Sequence, residues 1–159
     1  MELAFALVNR GPLHVSLSLH TAEPVPQPEW DTVIAHLERL GAGGQLRPEL
    51  ARMLVITDGG APDARQRAQL NDAWGGQPIR VAVVIPGLNN PVKRGVMTAL
   101  TWVNPAIDFF VAAEMKDALV YLGLDGQLAS LWPELRALQQ RIPTLQTLRA
   151  IAANHDLPW

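Results

Sequence analysis

The sequence predicts an α/β fold: a mixed β-sheet with an N-terminal hairpin, parallel later strands, covering helices and a C-terminal helical extension. Three observations predict it. Two short apolar segments flank a Gly-Pro pair near the N-terminus, three later apolar runs each precede a helical pattern, and a leucine stripe at helical spacing closes the chain.

Each element follows from local pattern. "LAFALV" and "LHVSLSLH" are separated by "NRGP", and Gly11-Pro12 marks a hairpin turn. In the second segment Leu13, Val15, Leu17 and Leu19 alternate with His14, Ser16, Ser18 and His20, the period of a half-buried strand with a polar face. The proline-rich "AEPVPQPEW" then leads into "WDTVIAHLERLGAGG", where Trp30, Val33, Ile34, Leu37 and Leu40 recur at helical spacing and glycines end the helix. From Met53 the pattern becomes strand–helix alternation. "MLVITD" precedes a helix over 62–74, "IRVAVVIP" a helix over 91–102, and "IDFFVA" a helix over 113–122 that stops at Gly123. Apolar runs without alternation suit strands covered on both faces, as in a parallel sheet.

The C-terminal stretch places Leu128, Leu131, Leu135, Leu138, Ile142 and Leu145 on one helical stripe. Pro133 is tolerable in a first turn, whereas Pro143 should break the run into two short helices or bend it. The expected organisation is an α/β domain over 1–124 and a helical extension over 125–159. That extension packs on its own domain or on a partner, a second copy of the chain included.

Composition narrows the function classes. The 159 residues are 48% hydrophobic and 18% charged, enough to bury a core and unlike a disordered chain. A net charge of −2 provides no basic field for nucleic acid. Cysteine is absent, which excludes disulfides, thiolate metal sites and a cysteine nucleophile, and fits a reducing compartment. The start, "MELAFALVNRGPLHV", has no charged n-region or small-residue cleavage site, and no apolar run approaches the roughly 20 residues of a membrane span. A cytoplasmic location is expected.

The strand–helix order and the stretch "IRVAVVIPGLNNPVKRGVMTALTWVNPAIDFFVAAEMKDALVYLGL", residues 79–124, resemble the STAS domain, the fold of bacterial anti-sigma-factor antagonists. The resemblance is closest to the SpoIIAA-like branch, which holds many members of unknown function. It implies a signal-transduction module acting through protein–protein interaction. One departure stands out. The family's antagonists carry a phosphorylatable Ser or Thr in an Asp-Ser or Asp-Thr pair opening the helix after the third strand. Here that loop reads "DGGAPDARQR": Asp63 is followed by Ala64, and Thr57 is the nearest hydroxyl. The usual phosphoswitch is missing from its expected place.

Candidate binding residues come from the loops after two successive strands, which in a parallel sheet emerge on one edge. Asp58, Gly59, Gly60 and Arg65 belong to the first loop; Asn89, Asn90, Lys93 and Arg94 to the second. Glycines let backbone N–H groups approach a ligand, helix N-termini favour anions, and Lys and Arg add charge-assisted hydrogen bonds. The competing reading is structural: Asp-Gly-Gly as a turn, Asp63 and Asn89-Asn90 as helix caps, and the basic residues as solvated helix faces. Neither loop has the glycine spacing of a nucleotide-binding motif.

No catalytic residue, metal ligand or cofactor is assigned. The histidines His14, His20, His36 and His155 form no ligand motif and read as surface residues, and no Gly-x-Ser-x-Gly elbow is present. The leading functional expectation is a non-enzymatic STAS-like adapter that binds another protein. The alternative is a carrier or sensor of a small apolar or anionic ligand, lipid-like or nucleotide. An Asp58-centred phosphotransfer enzyme is the weakest, because "TDGG" offers one carboxylate where a metal would need a second.

Overall fold

The computed structural model describes residues 1–42, 47–73, 79–85 and 108–159. The expected helix over 91–102 lies outside them, as do Trp74 and Trp102.

Strands β1 (Leu3–Arg10) and β2 (Leu13–His20) form the hairpin, with Arg10 opposite Leu13 across the Gly11-Pro12 turn. Gly11 takes φ 57°, left-handed backbone that glycine adopts without a Cβ penalty. Helix α1 (Gln27–Ala42) starts within the proline-rich connector. A short 3₁₀ turn, Pro48–Leu50, leads into β3 (Ala51–Thr57). Helix α2 (Ala64–Ala73), β4 (Arg80–Val84), β5 (Asp108–Ala112) and α3 (Met115–Leu122) follow. The chain closes with α4 (Leu128–Arg141) and α5 (Thr147–Asn154).

The sheet runs β1-β2-β3-β4-β5, antiparallel at the first pair and parallel thereafter. This is the mixed sheet that the hairpin and the later apolar runs predict. Because side chains alternate across each strand, the sheet divides the molecule into two cores. One face presents Ala4, Val15, Leu17, Leu19, Leu54, Ile56, Ala82 and Val84 to helices α3, α4 and α5. The other presents Leu3, Met53, Val81 and Val83 to α1.

The C-terminal helices share the first of these cores. Leu131, Leu135, Leu138, Leu148 and Ile151 are buried in one cluster with the sheet residues. Each such side chain contributes about 1.5–3 kcal/mol by leaving water, so the leucine stripe docks α4, and Leu148 and Ile151 dock α5. Pro143 lies between the two helices, where its ring cannot continue a helix. Pro133 falls inside α4 rather than in its first turn, because the helix begins at Leu128 and the proline is five residues further on. Its ring faces solvent.

Helix α3 ends as its glycine foretells. Gly123 has φ 72°, and the N–H groups of Gly123 and Leu124 donate to the carbonyls of Val120 and Leu119. That pattern satisfies the last carbonyls and delivers Leu124, fully buried, into the core. Arg52 adds a cation there, its Nε donating to the Leu122 carbonyl at 3.0 Å.

β2 corrects the expectation of a polar, solvent-facing side. From Val15 to His20 every residue is buried, Ser16, Ser18 and His20 included. The cause is position in the sheet. β2 lies between β1 and β3, and its serine–histidine side shares a face with Leu3, Phe5, Met53 and Val55, which pack in the core of α1.

Candidate functional site

β3 ends at Thr57, and the loop that follows is held from three sides. The buried Thr57 hydroxyl accepts the Gly59 N–H and donates to the Gly60 carbonyl, both at 3.0 Å. The Asp58 and Gly60 N–H groups donate to the carbonyls of His20 and Thr21, at 3.1 and 3.0 Å, so the loop prolongs the pairing between β2 and β3. Gly60 has no room for a side chain: a Cβ would lie 2.2 Å from the Thr21 carbonyl oxygen. Gly59 has φ 127°, which side-chain-bearing residues rarely adopt.

The Asp58 carboxylate faces the last helix. Its Oδ2 accepts the Gln146 N–H at 2.8 Å, and Oδ1 accepts the Thr147 N–H at 2.8 Å. The Thr147 hydroxyl lies 2.6 Å from the same Oδ1 and 3.0 Å from the Thr57 carbonyl. Gln146, the N-cap residue of α5, contributes no capping side chain of its own. Asp58 therefore caps that helix from across the sheet edge, a carboxylate against the positive end of a helix dipole. Helix α2 begins with a reciprocal cap. The Asp63 carboxylate accepts the Gln66 N–H at 2.8 Å, and the Gln66 side chain accepts the Asp63 N–H at 3.0 Å. Gln66 also donates to the Val25 carbonyl at 2.8 Å, which pins the start of α2 to the segment before α1.

Asp58, Gly59 and Gly60 thus form one turn. Arg65 is exposed in the first turn of α2. Asn89, Asn90, Lys93 and Arg94 lie outside the described residues.

A serine–histidine contact occurs on β2, where sequence pattern points to a surface. Ser18 Oγ is 2.7 Å from His20 Nε2. The two residues are only 5% and 4% exposed, and His20 Nδ1 has no hydrogen-bond partner among the described residues. A nucleophile–base pair needs solvent access and a group to orient the histidine, and this pair has neither. Burial pushes the His20 pKa down to about 4, so the ring is neutral near pH 7. The other histidines are less enclosed: His14 Nδ1 meets Asn9 Oδ1 at 2.9 Å, and the His36 ring sits edge-on to Phe5 with centroids 5.5 Å apart.

Helices α4 and α5 frame a second site, which sequence reading passes over. A half-open cleft of about 180 Å³ is lined by Arg136, Gln139, Gln140, Pro143, Arg149 and Trp159. The Arg149 guanidinium lies 5.4 Å from the Trp159 ring centroid. Trp132 packs beside that ring, centroids 6.4 Å apart, and its indole N–H donates to the Pro158 carbonyl at 2.8 Å. Only the arginines on both sides of Pro143 hint at this cleft in the sequence, and tertiary packing brings both to its lining.

Among the described residues no group of three His, Asp or Glu side chains is placed to hold a metal ion. None of the described helices is long and apolar enough to cross a membrane. No protein-family model matches the chain, and no curated protein matches it.

Proposed function

We propose that this domain is a non-enzymatic, STAS-like adapter that acts by binding another protein and lacks the phosphoacceptor of its family. The observation that carries the reading is the engagement of Asp58. At the sheet edge where an α/β domain ordinarily places its chemistry, the carboxylate accepts two backbone N–H groups and a hydroxyl from the start of α5. A nucleophile or base would need those lone pairs free. The hydroxyl nearest in sequence, that of Thr57, is on a residue 2% exposed and already bonded to Gly59 and Gly60, which fits a fold used without a phosphoswitch. The order of a hairpin followed by parallel strands supports the STAS-like assignment.

The test is affinity capture from the source organism with the full chain as bait, followed by reconstitution from purified components and native mass spectrometry. A captured protein that re-forms a defined complex is the expected result. A small molecule retained by the chain alone would replace the adapter with a carrier.

A further inference from the structure

Resting on the adapter reading, we infer that the cleft between α4 and α5 is the docking site, and that its occupant is an acidic peptide segment of the partner protein. Charge points there first. The two helices carry Arg136, Arg141 and Arg149 against Glu134, in a chain whose net charge is −2. Glu134 is already paired with Arg10 at 3.1 Å, and neither Arg136 nor Arg149 has an acidic partner among the described residues. Two guanidinium groups facing one cleft match a carboxylate.

The size of the cleft and the apolar face beside it point to a peptide. Gln139 is only 6% exposed, and its Nε2 donates to the carbonyls of Ile142 and Leu145 at 2.7 and 3.2 Å. Its Oε1 has no hydrogen-bond partner among the described residues. That oxygen is enclosed, so Gln139 shapes the cleft wall and offers a ligand no free acceptor. The size agrees: about 180 Å³ accepts one side chain, below the roughly 300 Å³ at which small-molecule pockets begin. The remainder of the segment would lie across Trp159, which is 51% exposed and offers an apolar face beside the arginines.

The test is an NMR titration of the full chain, following the Trp159 indole and the Arg136 and Arg149 Nε–H signals. The probes are a capped peptide of glutamates around one leucine, its glutamine counterpart, and sodium phosphate. The acidic peptide should shift these signals and the glutamine peptide should not. The double variant R136Q/R149Q should bind at least about tenfold more weakly, because each arginine offers a charge-assisted contact. Trp159→Ala, which removes a half-exposed ring at the edge of the core, should weaken binding independently. Absence of shifts, or equal shifts with the glutamine peptide, would overturn the inference. Phosphate acting as well as the peptide would overturn it in favour of a small-anion site. A reconstituted partner that binds the double variant undiminished would remove the cleft but leave the adapter standing. Peptide binding at the cleft with no partner found would sustain the inference and count against the adapter.

Discussion

Asp58 and Thr147 are 89 residues apart in the chain and meet at 2.6 Å, carboxylate oxygen to hydroxyl. With the N–H groups of Gln146 and Thr147 at 2.8 Å, this contact joins the end of the third strand to the start of the last helix. The loop after β3 is in this way made dependent on the C-terminal extension, and the extension on the loop.

Asp58→Ala should cost about 2 kcal/mol, since a lost N-cap costs about 0.5–2 kcal/mol and hydrogen bonds to a charged acceptor are worth more than neutral ones. Asp58→Asn, which keeps one acceptor oxygen, should cost about half of that. Urea unfolding measures the totals. Amide hydrogen exchange locates them: Ala150, whose N–H donates to the Gln146 carbonyl, should lose protection before the sheet does. An alanine variant as stable as the parent would show that the cap carries no weight.

Gly60→Ala should destabilise by about 2 kcal/mol or more. The added Cβ would clash with the Thr21 carbonyl oxygen, a backbone atom that no side-chain rotation can move aside, so the two chain segments must shift apart. The pairing of Gly60 with Thr21 would open with it. For a chain of this length the melting temperature should fall by roughly 5 °C, which differential scanning calorimetry resolves.

The Gln66 side chain joins three segments, so Gln66→Ala should cost about 2 kcal/mol. It accepts from Asp63 and donates to the Val25 carbonyl from a buried position. Its loss would leave the Val25 carbonyl without that donor as well as weakening the cap. Gln66→Glu keeps the acceptor for Asp63 and loses the donor to Val25, so comparing the two variants by chemical denaturation separates the cap from the tether.

His20 predicts an acid-sensitive stability. Its pKa is lowered from 6.5 to about 4 in the folded protein, because burial penalises the imidazolium. Between those values the unfolded chain binds a proton that the folded chain refuses. Stability contributed by the neutral ring is therefore fully present above pH 6.5 and declines as pH falls towards 4, by up to about 3 kcal/mol. Carboxylates titrate over part of the same window, so the comparison is with His20→Gln. The variant's pH profile of unfolding free energy should be flatter by that amount, and parallel profiles would refute the assignment.

Much of the element order was legible in the sequence, because its signals are local. Gly11-Pro12 forms the hairpin turn, Asp63 opens α2, Gly123 closes α3, and Pro143 separates α4 from α5; each acts on backbone within a few residues of itself. The apolar stripe of the C-terminal segment likewise announces a buried helical face. Only the tertiary structure decided what those faces meet. The alternation in β2 describes a strand with one apolar and one polar side, but the helix that covers the polar side is chosen by packing, and it turns His20 from an expected surface residue into a buried neutral one. Asp58 reads equally as a turn residue or a candidate ligand until α5 arrives to accept it as a cap. The cleft around Arg149 and Trp159 gathers residues from both sides of Pro143 and from the chain end. Local sequence governs backbone conformation over a turn or two, whereas burial, capping partners and clefts depend on contacts between residues distant in the chain, and those are settled when the cores close.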